Sequence, residues 1–503
     1  MNSGSQIDIA ALLQRAVPLH QQGKLDLADA LYQQILQAQP AQFDALHLSG
    51  VIARQRGDAQ MAIDLISRAI TIVADNAVAH CNLGAALQDV GRAQDALLSY
   101  ERAIAFSPRY AMALNNRGNA LKNLGRADEA LASYDQALAI QPVYAEAYAN
   151  RGILLQTSRQ FAAALENFEL ALKIKPRYVE AAYGRALALF SEQCYLDAVH
   201  AYDFLLTLQA EHAEGHAGLG SALYRLGQYD NALTSFQRAV AARPTYIKAY
   251  ELQGNTLRAL ERYDEAATAY EKARDLGGDT TQLNYVLAGL GRGTAPPASP
   301  AQYVADLFDQ YAPHFNQHLT DVLKYDTPRL LIGLVEKHLP AQQADTLDLG
   351  CGTGLCGPLL RPYSQQLIGV DLSQNMLDRA RQLDVYDHLH CAELTAFLNA
   401  RTDAYDLIVA ADVFVYIGDL SAVFQAVHTA LRHGGIFSFS VERHDGAGYT
   451  LQRSTRYAHS LTYLQQLAVD HRLTLKETIS CVTRQDNGKD IDAYLIIMTR
   501  GAG

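Results

Sequence analysis

The sequence predicts two parts: an α-solenoid of repeated helix pairs over residues 1–290 and an α/β domain with a mainly parallel sheet over 301–503. Three observations predict this. Gly84, Gly118, Gly152, Gly220 and Gly254 fall on a spacing of 34 residues or twice that, the mark of a repeating supersecondary unit. Beyond residue 344, short apolar runs alternate with helical stretches, which implies a sheet covered on both faces. Between the two, Gly291-Arg-Gly-Thr-Ala-Pro-Pro-Ala-Ser-Pro300 ends helical periodicity and reads as a linker over 291–300.

Size and composition agree with this division. A chain of 503 residues exceeds one core, and 49% hydrophobic with 19% charged residues is an ordinary globular balance. The net charge of -11 argues against nucleic acid as a partner, because phosphate binding needs clustered Lys and Arg. Cys81, Cys194, Cys351, Cys356, Cys391 and Cys481 form no CxxC pair and meet no His cluster at zinc spacing, so reduced thiols and no metal are expected. The N-terminus lacks a basic region with an apolar core, and no stretch reaches about 20 apolar residues, so neither secretion nor a membrane role is indicated. A cytoplasmic location is expected.

Within each 34-residue period, a small residue such as Ala96, Ala130 or Ala164 recurs four positions before an aromatic, Tyr100, Tyr134 or Phe168. Pro108, Pro142, Pro176 and Pro244 then stop the second helix. The pattern resembles tetratricopeptide repeats, with eight starting near residues 9, 43, 77, 111, 145, 179, 213 and 247 and covering 9–280. Ala16 and Ala186 replace the usual glycine, Ala74 and Ala210 the proline, and His80, Leu114 and Tyr148 stand where the family places Trp. Register is unbroken, so an uninterrupted superhelix with a concave face for a protein or peptide partner is expected. Asn82, Asn116 and Asn150 share one register position on the first helices; they are either a peptide-gripping ladder or solvated filler.

After the linker, Tyr303, Phe308, Tyr311 and Phe315, with His314 beside them, lie largely along one helical face. That face either covers a ligand or docks the helix on its domain. The apolar runs that follow are 346–349, 367–370, 389–391, 406–410, 435–441, 473–482 and 490–499, the last two joined by an Asn487-Gly488 hairpin turn. The core of the domain is then 344–500.

The chemistry is concentrated in Thr346-Leu-Asp-Leu-Gly-Cys-Gly-Thr-Gly354 and in Asp371 at the end of the next run. A glycine loop lets backbone approach a ligand, and an acid at the following strand tip can chelate a ribose diol. Gly352, Gly354 and Gly357 also satisfy a dinucleotide pattern, but Asp348 at the loop mouth repels a pyrophosphate and attracts a sulfonium. S-adenosylmethionine fits best. The stretch resembles the first motif of the class I S-adenosylmethionine-dependent methyltransferases, which implies a Rossmann-like sheet of seven strands closed by an antiparallel hairpin. The resemblance puts Asp348, Gly350, Gly352 and Gly354 around the methionine part of the cofactor. It puts Asp371 on the ribose, Leu372 and Met376 on the adenine ring, and Glu393 near the adenine amino group.

Ala410-Ala-Asp-Val-Phe-Val-Tyr416 leaves the fourth strand where the methyl group should point, and it lacks the Asn-Pro-Pro-Tyr and Pro-Cys motifs of amide, adenine and cytosine enzymes. Asp412 holds the cofactor amino group, orients an acceptor, or caps the next helix. Tyr416 and His459 are the candidate bases, Asp412 the third catalytic candidate, and Arg453, Arg456 and Tyr457 could recognise an anionic or aromatic acceptor. The expected function is methyl transfer to an O- or N-nucleophile of a small molecule or protein, with the repeats recruiting a protein partner. The alternative is an interaction scaffold whose domain binds cofactor without catalysis, and a nicotinamide-dependent oxidoreductase is the more distant reading.

Overall fold

The computed structural model describes residues 8–311, 315, 319, 323–339, 343–486 and 489–501, so His314 and the Asn487-Gly488 turn lie outside the described residues. The chain divides into two compact units, Met1–Pro244 and Thr245–Gly503. This division falls before the eighth helix pair.

In the first unit seven helix pairs run from Ile9–Gln21 with Leu25–Ala38 to Ala213–Arg225 with Tyr229–Ala242. Small residues set their spacing. A Cβ on Gly118 would lie 2.5 Å from Tyr134, so only glycine lets the ring fill the space between the paired helices. The Tyr134 hydroxyl donates to Asn119 at 2.7 Å, which satisfies its polar end inside the core. The three asparagine positions also bond within the array. Asn82 pairs with the His47 ring at 2.9 Å, Asn150 donates to Asn115 at 2.9 Å, and Asn116 faces the Cys81 sulfur at 3.9 Å. One N–H of each of these amides is turned toward the preceding repeat, so these donors stitch neighbouring first helices together.

The second unit opens with Ile247–Ala259 and Tyr263–Asp275, followed by the helix Thr280–Gly289, whose cap Asp279 accepts from the Thr281 and Gln282 amides. Residues 296–299 are no free tether. Gly418 and Asp419 amides both donate to the Pro297 carbonyl at 2.8 Å, Ser299 N donates to Tyr416 O at 2.8 Å, and Ala298 bridges Ile417. Gly291, at φ +80°, ends the helix, and the prolines that follow leave an extended chain whose carbonyls accept from the loop around Gly418.

Nine strands stand among the described residues, two more than expected: β1 Ala344–Leu349, β2 Ser364–Asp371, β3 His388–Cys391, β4 Tyr405–Ala410, β5 Leu431–Arg443, β6 Tyr449–Leu451, β7 Tyr457–His459, β8 Leu473–Asp486 and β9 Lys489–Arg500. β1 to β5 pair in parallel in the order β3-β2-β1-β4-β5. β9 joins β5 antiparallel and carries β8, while β7 and β6 extend from the tip of β5. The expected seven are present; the extra pair, β6 and β7, lies between the expected runs 435–441 and 473–482. Alternate residues feed two cores. Leu347, Ile408, Phe437 and Phe439 face one, Leu407, Val409, Ile436 and Ile497 the other, which is why these runs read as continuously apolar. The strand order reverses between β1 and β4, and their loops leave side by side at the carboxyl ends.

Candidate functional site

A cavity of about 420 Å³ opens at that reversal. Its size suits a nucleoside-sized ligand with room beside it. Gly350, Gly352, Asp371, Leu372 and Glu393 line one part, and Asp412, Tyr416, Arg456 and Arg484 another. The glycine loop is shaped by contact. Gly350 has φ +71°, and a Cβ there would lie 2.5 Å from Val413 of the loop after β4. Only glycine therefore lets the two loops close on one another. The Gly350 and Cys351 amides donate to the Val370 carbonyl, while the Gly352 amide turns to the Asp371 carboxylate at 2.9 Å.

Asp371 is the anchor. One oxygen accepts from Gly352 and the other from the Ser373 amide at 2.9 Å. Two N–H bonds leave each oxygen lone-pair capacity for a diol, so the residues present fit a ribose. Burial raises its pKa, opposed by those backbone bonds and reinforced by the charge of Asp309. Glu393 lines the cavity while capping the helix Leu394–Asn399 through the Thr395 and Ala396 amides. Asp412 does not cap the next helix. It has φ +57°, an unusual geometry for Asp, and accepts from Arg484 Nη1 at 2.6 Å and the Ser440 hydroxyl at 2.8 Å.

Several expected site residues lie elsewhere. The Asp348 carboxylate is buried beneath the loop, outside the cavity lining, and accepts from the Tyr386 hydroxyl at 2.6 Å. Burial pushes it up to about 7, with that hydrogen bond opposing and the charge of Asp371 adding. Gly354 lies against Leu383 and Tyr386, and Met376 is buried on the inner face of the helix Gln374–Arg381; neither is in the lining. His459 is fully buried, sits in β7, and pairs through Nε2 with the Gly418 carbonyl at 3.0 Å. Burial lowers it to about 4, opposed by its backbone hydrogen bonds, so the ring is a neutral part of the core and not a base facing the cavity.

Tyr416 does line the cavity. Burial raises its pKa, while a hydrogen bond from Arg456 and the charges of Arg456 and Arg484 oppose the rise. Of the other acceptor candidates, Arg456 lines the cavity, Arg453 lies 4.6 Å from the Tyr263 ring centroid, and Tyr457 donates to the Pro296 carbonyl. Phe308 stands edge-on to Tyr416 at 5.5 Å and lines the cavity with Phe315, so this part of the helix Ala301–Tyr311 covers the ligand space. Tyr303 instead docks the helix, meeting the Tyr285 ring at 5.3 Å and the Thr455 hydroxyl at 3.3 Å. Sequence reasoning missed Arg484, Pro297, Ser299 and Tyr325, which all line the cavity. Arg484 lies in a strand whose neighbours carry no motif, and only pairing across the sheet brings it to Asp412.

Residues 347–437 match the family described as "Methyltransferase domain", and residues 13–77, 109–177, 192–247 and 247–276 match families described as "Tetratricopeptide repeat". The malonyl-[acyl-carrier protein] O-methyltransferase of Enterobacter lignolyticus is 30% identical over 145 residues, covering 29% of this chain and 55% of that protein. That of Salmonella typhimurium is 26% identical over 175 residues, covering 34% and 67%. The probable S-adenosylmethionine-dependent methyltransferase CRG1 of Saccharomyces cerevisiae is 29% identical over 118 residues, covering 22% and 40%. The chain thus spans between about two fifths and two thirds of the length of these relatives. A crystal structure of a tetratricopeptide repeat protein from Parabacteroides merdae aligns at TM-score 0.39 and 21% identity, over 49% of this chain and 97% of that one. Repeat motifs, the order of the sheet and the matched domain agree: the chain joins tetratricopeptide repeats to a methyltransferase domain.

Proposed function

We propose that the chain transfers a methyl group from S-adenosylmethionine to an oxygen or nitrogen nucleophile, and that its repeats recruit a protein that is the acceptor or delivers it. The observation that carries this is Asp371, which lines the cavity at the tip of β2 with both oxygens held by amides and capacity left for a diol. Asp371 and Glu393 make this part of the lining acidic, which favours a sulfonium and an ammonium over a diphosphate. Bound there, the donor supplies a methyl group already activated by its positive sulfur. The protein's share is alignment and exclusion of water, a task for Phe308, Tyr416 and the glycine loop. Relatives named malonyl-[acyl-carrier protein] O-methyltransferases favour an oxygen acceptor. All six cysteines are free thiols, which suits a reducing compartment such as the cytoplasm.

Calorimetric titration tests the assignment. S-adenosylmethionine should bind and NAD should not, and Asp371→Asn should weaken donor binding by about ten-fold or more through loss of a charged acceptor. Binding of NAD in preference to the sulfonium would return the site to the dinucleotide reading.

A further inference from the structure

We infer that the last unit of the repeat array positions the cover of the donor cavity: Tyr285, on the helix that follows the eighth pair, and Ser373, through Asp309, fix the helix Ala301–Tyr311 near its two ends. This rests on the methyltransferase reading above and adds Tyr285 and Asp309 to it as positioning residues. The helix turns Val304 and Phe308, one turn apart, toward the cavity. Tyr303 and Asp309 flank that stripe on opposite sides, about 9 Å apart along the axis. A helix of three turns held on one flank can swing about its fixed end; held on both flanks, it keeps Phe308 in place over the ligand.

At the first fixing, the Tyr303 ring stands edge-on to Tyr285 at 5.3 Å, and its hydroxyl meets that of Thr455 at 3.3 Å. Tyr285 is 1% exposed; its hydroxyl donates to the Thr455 carbonyl and accepts from the Ser299 hydroxyl at 2.6 Å. Ser299 lines the cavity, as does Arg456, the neighbour of Thr455. The helix that carries Tyr285 is tied in turn to the eighth pair, where Arg274 donates to Asn284 at 3.3 Å. One buried side chain at the end of the array therefore meets three segments that wall the cavity. At the second fixing, the Ser373 hydroxyl donates to the Asp309 carboxylate, and the Asn375 amide group to the Asp309 carbonyl at 3.3 Å. Ser373 is also the residue whose backbone amide holds Asp371, and its hydroxyl accepts from the Met376 amide at 3.1 Å. The acid read as the ribose anchor and the seat of the cover thus share one residue. Because both fixings hold one rigid element, losing either releases it, and losing the second then changes little. Their effects are coupled although they grip opposite flanks of the helix.

The test is a double-mutant cycle on the full chain, read by calorimetric titration with S-adenosylhomocysteine and by the rate at which that ligand leaves. Tyr285→Phe keeps the ring and removes only the hydroxyl; Asp309→Ala removes the acceptor of Ser373. Each should weaken binding by about three-fold or more, through faster dissociation at an unchanged association rate. The double variant should bind about as weakly as the weaker single, not as weakly as the product of the two effects. Asp309→Asn, which keeps an acceptor for Ser373, should recover much of the loss, and so separates that bond from the charge that Asp309 places beside Asp371. In hydrogen exchange, S-adenosylhomocysteine should slow residues 301–311 in the parent and do so less in Tyr285→Phe. Unchanged affinity in Tyr285→Phe, effects that multiply in the double variant, or Asp309→Asn as weak as Asp309→Ala would each overturn the proposal. Failure of the parent to bind S-adenosylhomocysteine would instead remove the methyltransferase reading, and this proposal with it.

Discussion

Asp348 and His459 are both buried titratable groups, and burial moves them in opposite directions. Asp348 sits above its ordinary value, at about 7. Its contribution to stability is therefore complete below about pH 4 and is lost as pH rises through about 7, where a charge must form out of reach of water. That same ionisation adds a negative charge beneath the glycine loop. Affinity for S-adenosylmethionine should rise several-fold between about pH 6 and pH 8, and Asp348→Asn should flatten the profile; equal slopes in the two proteins would clear Asp348 of the effect. His459 sits below its ordinary value, at about 4. Its contribution is present above about pH 6.5 and lost as pH falls toward 4, amounting to roughly 3 kcal/mol at the acid end. Denaturant unfolding of His459→Gln should show a shallower loss across that window, with donor affinity at neutral pH unchanged. The two residues also mark what is legible from residue type alone. Asp348 was found through its place in a motif, but its depth below the loop comes from Tyr386, 38 positions further along. His459 was a candidate base by residue type, yet all three residues of β7 are buried and its ring pairs with the Gly418 carbonyl inside the core.

At the scale of the element, the eight turns inside the helix pairs share one left-handed position. Gly23, Gly57, Gly91, Gly125 and Gly227 fill five of them, and Arg159, Gln193 and Glu261 adopt the same positive φ without glycine's freedom. Gln193→Gly should stabilise the protein by about 0.5–1 kcal/mol, measured by thermal or denaturant unfolding. No change or a loss would mean that the Gln193 side chain repays its own strain. The 34-residue spacing of these glycines is in the sequence, as is that of the glycines under Tyr100 and Tyr134, because repeated packing demands repeated residue types. The long strands were legible for a similar reason: both faces are buried, so each reads as one apolar run. β6 and β7 were not, since three residues each give no period to recognise. The asparagine positions were visible as a series, but their direction toward the preceding helix was not.

At the scale of the whole molecule, the eighth helix pair belongs to the same compact unit as the sheet. Tyr285 in the helix Thr280–Gly289 bonds the Thr455 carbonyl and meets the Ser299 hydroxyl at 2.6 Å, Arg258 donates to the Arg453 carbonyl at 3.0 Å, and Lys489 pairs with Glu261 at 2.9 Å. The turn that carries Arg456 is thus fastened to the last repeat. A fragment beginning at Thr245 should fold and bind S-adenosylmethionine like the full chain. One beginning at residue 291 should melt lower by roughly 5 °C or more, because Tyr303 and Tyr457 lose their cover. Equal melting of the two fragments would show that the repeat pair adds nothing to the domain.

Sequence alone determined the helix-pair repeats, the α/β class of the second part, the glycine loop and the acid at the next strand tip. All of these rest on periodicity or short-range spacing that a local pattern can carry. Only the tertiary structure decided that Asp348 lies under the loop, that Arg484 meets Asp412 and Glu442, that His459 belongs to the core, and that the proline segment forms a wall of the cavity. Those outcomes depend on residues tens to hundreds of positions apart, brought together by strand order and burial, and no local spacing in the chain records them.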